Sequence, residues 1–188
     1  MKTYRSKFEE NYKAIEEPCD NKKGFKMNYV YIGPWYVWNV PGERISAMKR
    51  LIGVMCVFSV ILFVSGSLLE SFLNCSRYVE LFGILSVVAL LYEVIGVIQF
   101  CAAKERMTNM DFEDIKNKMI IAPLLHAVLL FCAAAAAVWQ LIGNRFDLTD
   151  VVVVVCYLLS GLLSLLIFAC YRSLPWRKDK NANAKIGL

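Results

Sequence analysis

Histidine is nearly absent from this chain: among its 188 residues there is one, His126. A single imidazole falls short of the three or four ligands of a usual metal centre, and the cysteines do not make up the number. Cys19, Cys56, Cys75, Cys101, Cys132, Cys156 and Cys170 show no C-x-x-C spacing, and most lie in apolar runs where a thiol acts as a small hydrophobe. There is also no H-E-x-x-H, no G-x-S-x-G and no phosphate-binding glycine loop. An enzyme is not expected, nor a cofactor, nor a metal. No cleavable signal peptide is expected either, because residues 1–50 are polar and charged rather than a short basic start before an apolar core. The first apolar run then acts as its own targeting signal.

What the chain has in excess is apolar length. It is 58% hydrophobic with a mean hydropathy of +0.49, outside the range of an ordinary soluble domain. The excess lies in four runs, 51–73, 78–103, 119–143 and 151–171. Each has the roughly 20 residues that a hydrocarbon core of about 30 Å requires. The expected fold class is an all-α membrane protein: a four-transmembrane-helix antiparallel bundle with a cytoplasmic N-terminal tail and an aromatic juxtamembrane segment. The two outer connections, 74–77 and 144–150, are short, so the first and second spans are antiparallel neighbours, and so are the third and fourth.

Orientation follows from Lys and Arg, which accumulate in loops left in the cytoplasm. The N-terminal segment, the middle loop and the C-terminal tail carry nearly all of them, against Arg77 and Arg145 alone on the other side. Both termini are therefore expected in the cytoplasm, the membrane being the cytoplasmic (plasma) membrane. The net charge of +5 needs no nucleic acid to explain it. The basic residues Arg44, Lys49 and Arg50, with Arg172, Arg177, Lys178 and Lys180, suit anionic lipid headgroups.

Residues 1–28 read as a charged cytoplasmic tail, partly mobile, with a short helix over 8–17. Residues 29–50 read as an aromatic juxtamembrane segment and helix lead-in. There Tyr29, Tyr31, Trp35, Tyr36 and Trp38 surround a Gly33-Pro34 break, and Trp176 recurs near the other terminus. Such rings anchor at the headgroup layer, or build a tiny hairpin or plug that binds a partner. Pro41 suits the first turn of the following helix. Residues 104–118 form a cytoplasmic loop and helix, with Thr108 and Asp111 spaced as a capping box, and residues 172–188 form a basic cytoplasmic tail. Asn74-Cys75-Ser76 matches a glycosylation sequon in form but abuts the first span. Asp147 and Asp150 read as part of a solvated, mildly acidic outer rim.

Two ionisable residues fall inside the spans, Glu93 and His126, and such residues usually face the bundle interior. Glu93 shares its helix face with Ser86, Ala89 and Gly96, and His126 shares its own with Ala122, Ala133 and Ala137. By helical rise, Glu93 lies about 16 Å before Lys104 and His126 about 12 Å after Lys118, less than one turn apart in depth. The two are expected to meet across a second-to-third span contact. Pro123 loosens the helix nearby, and Tyr92, Gln99 and Gln140 are candidate hydrogen-bonding neighbours. The pair either glues the bundle together or forms a protonatable site for an ion or cation.

Two functions follow. The first is a non-catalytic subunit or scaffold of a membrane complex, binding another membrane protein or a copy of itself through small-residue faces at 133–137 and at Ser160, Gly161 and Ser164. The second is a small oligomeric transporter or channel working through Glu93 and His126.

Overall fold

A computed structural model describes residues 4–18, 24–143 and 147–179. Cys19, Arg145 and Lys180, singled out above, lie outside the described residues. In chain order the elements are α1 (Tyr4–Asn11), β1 (Tyr12–Pro18), β2 (Phe25–Tyr31), β3 (Trp35–Trp38), α2 (Gly42–Leu68), α3 (Arg77–Ala102), β4 (Arg106–Met107), α4 (Asn109–Gly143), α5 (Leu148–Arg172) and β5 (Trp176–Asp179). They divide into two compact units. One takes Met1–Asn39, Lys104–Asp114 and Pro175–Leu188; the other takes Val40–Ala103 and Ile115–Leu174.

The larger unit is a four-helix bundle. Helices α2 to α5 are each long and apolar enough to cross a membrane. Their lipid-side surface is apolar: Phe58, Val88, Leu125 and Leu159 all point outward and are exposed, which suits hydrocarbon as the solvent. Helix α2 packs against both α3 and α5. Glu93 of α3 meets His126 of α4, and Phe131 of α4 lies against Gly161 of α5, so the four helices close a ring. An apolar cluster including Phe63, Leu90, Leu130, Ala133, Val153 and Tyr157 fills one half of this bundle.

The first helix departs from the expected span at both ends, starting at Gly42 and stopping at Leu68. The stop has a local cause. Asn74 folds back and donates its amide to the carbonyls of Gly66 and Leu69, both at 3.0 Å, satisfying orphaned groups at the helix end. At the start of α5 Asp147 caps the helix in a reciprocal capping box with Asp150. Asp150 is buried and also accepts a 2.6 Å bond from Ser71, so it is no solvated rim acid. From Asn109 onward the middle loop and the third span form one continuous helix that runs through Pro123, while Arg106–Met107 form β4. Its start uses the expected pair: Thr108 Oγ1 accepts from the Asp111 amide at 3.2 Å and donates to Asp111 Oδ2 at 2.8 Å.

The smaller unit corrects the all-α expectation. The expected tail with a helix over 8–17 gives way to a helix that stops at Asn11, followed by β1 and β2, which form an antiparallel pair from Tyr12↔Tyr31 to Pro18↔Phe25. A second sheet has β3 in its centre, with β4 and β5 antiparallel on its two sides. The expected break at Gly33-Pro34 is present, but the strands flanking it belong to different sheets rather than to one hairpin. A Cβ at Gly33 would lie 2.7 Å from the Tyr31 hydroxyl and closer still to Asn11 Oδ1, so those side-chain ends would have to shift to admit one. The aromatic rings pack on one another. Tyr36 stacks on Phe112 at 4.4 Å, Trp176 lies 4.9 Å from Phe112, and Tyr31 sits edge-on to Trp35 at 4.9 Å. Trp38 is buried, whereas Tyr29 is exposed.

Candidate functional site

Glu93 and His126 come together, with Glu93 Oε2 2.7 Å from His126 Nδ1 and both side chains fully buried. The helices bring them level because small residues permit close approach: Gly96, one turn from Glu93, leaves so little room that a Cβ would lie 3.1 Å from Lys118. Phe63 closes the site from α2, edge-on to the imidazole at 5.9 Å.

Ser164 completes a triangle. Its hydroxyl donates to Glu93 Oε2 at 3.1 Å and its oxygen lies 2.9 Å from His126 Nδ1. Beyond Ser164 the network continues to Ser59, whose Oγ is 3.4 Å from Ser164 Oγ and 2.9 Å from Ser160 Oγ. Ser160 in turn donates to the Ser59 carbonyl at 3.0 Å. One polar network thus draws a side chain from each of the four spans: Ser59, Glu93, His126 and the Ser160/Ser164 pair.

Two atoms of this network, Glu93 Oε1 and His126 Nε2, have no hydrogen-bond partner among the described residues. Whether the pair is ionised or neutral, both remain polar and buried, and each such atom costs roughly 1–3 kcal/mol.

The other expected participants lie elsewhere. Tyr92 is exposed on the outside of α3. Gln99 accepts from Lys118 at 3.0 Å, and Gln140 lies about 21 Å along α4 from His126 by helical rise. Ala122, Ala133, Ala137, Ser86, Ala89, Gly96, Ser160, Gly161 and Ser164 are all buried within the bundle. These side chains pack helices of one chain against each other, whereas Ala135, within the 133–137 face, is exposed. Of the basic residues, Arg44, Arg50, Arg172, Arg177 and Lys178 are all exposed, Arg177 and Lys178 on strand β5 and Arg172 over the Phe168 ring. Ser59 escaped the sequence reading. The signal was available, since a serine in mid-span needs a partner, and Ser160 and Ser164 one turn apart form a matching pair.

Among the described residues no group of three or more His, Cys, Asp or Glu side chains is placed to hold a metal ion. Comparison with known protein families, with characterised proteins and with solved structures finds no match.

Proposed function

We propose that this chain is a small oligomeric membrane protein that handles a proton or small cation at Glu93 and His126. The observation that carries the reading is the pair of unpartnered atoms, Glu93 Oε1 and His126 Nε2, in a side-chain pair with no exposure at all. An apolar pair of similar volume would avoid this cost, so a group that takes up a proton or cation accounts for its presence. The imidazole offers a ring nitrogen and the carboxylate beside it an oxygen, so the pair holds two atoms of different chemistry that can each accept a proton or face a cation. Nothing in the reading needs catalysis. The reading places the protein in the cytoplasmic membrane with both termini inside, supported by the Lys and Arg asymmetry.

The test is reconstitution into vesicles that report internal pH, with a panel of monovalent and divalent cations imposed as gradients. Flux by the wild-type chain that disappears in Glu93→Gln, at equal folded yield, is the expected result. No flux from a folded wild-type protein across the whole panel would sink the proposal.

A second reading, a non-catalytic subunit of a membrane complex, is favoured by a different observation: the polar network joins all four spans like a cross-brace. In that reading Glu93 and His126 fix the helix register and nothing moves through the bundle. Extraction in mild detergent separates the two, because a stoichiometric second membrane protein supports the subunit and a stable homo-oligomer supports the cation site.

A further inference from the structure

An apolar groove runs along the lipid-facing side of α2 where it meets α3, lined by Lys49, Arg50, Gly53, Val54, Val57 and Phe58 with Cys101. The lining from α2 is two parallel rows at four-residue spacing, 49/53/57 and 50/54/58, each with a cation at one end and apolar residues beyond it. By helical rise the rows span about 14 Å, close to half of a hydrocarbon core of about 30 Å. Gly53 keeps the floor open: a Cβ there would reach only to 3.9 Å from Cys101 Sγ, so a larger side chain would fill the groove.

The cations differ in availability. Lys49 donates its ammonium to the Ala103 carbonyl and lies 6.0 Å from the Phe100 ring, which fixes it at the mouth. Arg50 is exposed and makes no hydrogen bond or ion pair with the described residues.

We propose that this groove is a selective site for one anionic glycerophospholipid, its phosphate held by Arg50 beside Lys49 and one acyl chain lying along Gly53, Val57 and Phe58. Charge decides the headgroup, since two cations at the mouth meet no acidic side chain in the lining. Length decides the remainder: a cationic end followed by an apolar trough one leaflet deep matches a lipid rather than a soluble anion or a peptide.

The test is native mass spectrometry of the full-length detergent-solubilised protein, titrated with phosphatidylglycerol, phosphatidylcholine or inorganic phosphate. Phosphatidylglycerol is expected to stay bound as one copy per chain and to raise the unfolding temperature, the other two to do neither. Arg50→Gln should weaken retention about fivefold, the effect of one basic side chain at an anionic surface. Gly53→Leu should weaken it while leaving charge unchanged, and Val57→Trp fills the same groove should Gly53→Leu fail to fold. Equal retention of the two lipids overturns the proposal. So does full phosphatidylglycerol retention in the folded groove-filling variant, which would reduce the effect to general surface charge.

Discussion

Tyr157 donates its hydroxyl to Asn74 Oδ1 at 2.9 Å, joining the fourth span to the turn that ends the first. The same Asn74 holds the carbonyls of Gly66 and Leu69 through its amide. One side chain therefore both stops α2 and fastens it to α5, and an amide so engaged is not presented to a glycosylating enzyme.

Asn74→Ala should consequently lower stability by about 1–3 kcal/mol, because it leaves helix-end carbonyls unpartnered and the Tyr157 hydroxyl with only its 3.5 Å contact to Ser67, whereas Tyr157→Phe should cost only about 0.5–1.5 kcal/mol. Thermal unfolding in detergent measures both. Equal shifts, or a glycosidase-sensitive band after expression in a eukaryotic secretory host, would contradict this account of the turn.

The bundle was legible because a span announces itself by length, and the Glu93/His126 contact because helical rise converts sequence distance into depth. The serine half of the network was not. Ser160 and Ser164 read as small packing residues, and only the closure of α5 against α2 turns them toward Ser59. The sheets were obscured for a related reason. Strand β3 draws its partners from 106–107 and 176–179, so no local pattern around Trp35–Trp38 shows the pairing. By contrast, β2 did carry a strand signal, with Phe25, Met27, Tyr29 and Tyr31 at period two, masked by the charges around it.

Helix contact between α2 and α5 depends on Gly66, where an added Cβ would lie 2.8 Å from Cys156 Cβ. Gly66→Ala should therefore destabilise the bundle by about 1–3 kcal/mol through overpacking. Gly83 is the control, since a Cβ there meets nothing within 4 Å. Gly83→Ala should be neutral or stabilising by up to about 1 kcal/mol, as expected in a helix interior. A Gly66→Ala protein that unfolds at the wild-type temperature would show that the two helices are free to separate.

Burial pushes the Tyr31 phenol above its ordinary range, and its hydroxyl donates to the Pro34 carbonyl at 2.7 Å while accepting from the Asn109 amide at 2.8 Å. Burial, with Glu113 nearby, raises Tyr36 in the same direction. A raised folded value means that the neutral phenol stabilises. That contribution is complete below the unfolded value of about 10 and is lost as pH rises through the higher folded value. Unfolding followed by tryptophan fluorescence should show the sheet unit weakening in this alkaline window. Tyr31→Phe should be less stable at neutral pH but lose less on going alkaline, and an unchanged alkaline loss in a Tyr31→Phe, Tyr36→Phe double variant would assign the effect elsewhere.

The sharpest separation of structural from functional roles comes from removing one or both members of the buried pair. Glu93→Leu alone leaves the His126 ring buried without its carboxylate partner, and breaking a buried pair in this way costs about 3–5 kcal/mol. Replacing both by leucine removes the polar atoms together, including Glu93 Oε1 and His126 Nε2, which have no partner to lose. Ser164 keeps a route to satisfaction through Ser59 and its own helix carbonyls. The double variant should therefore be clearly more stable than either single variant, and near or above wild type, while losing any cation flux. Unfolding temperature and flux measured on the same three proteins decide the matter. A double variant as unstable as the singles would mean that the polar network, rather than apolar packing, holds the four spans in register, and the subunit reading would then be preferred.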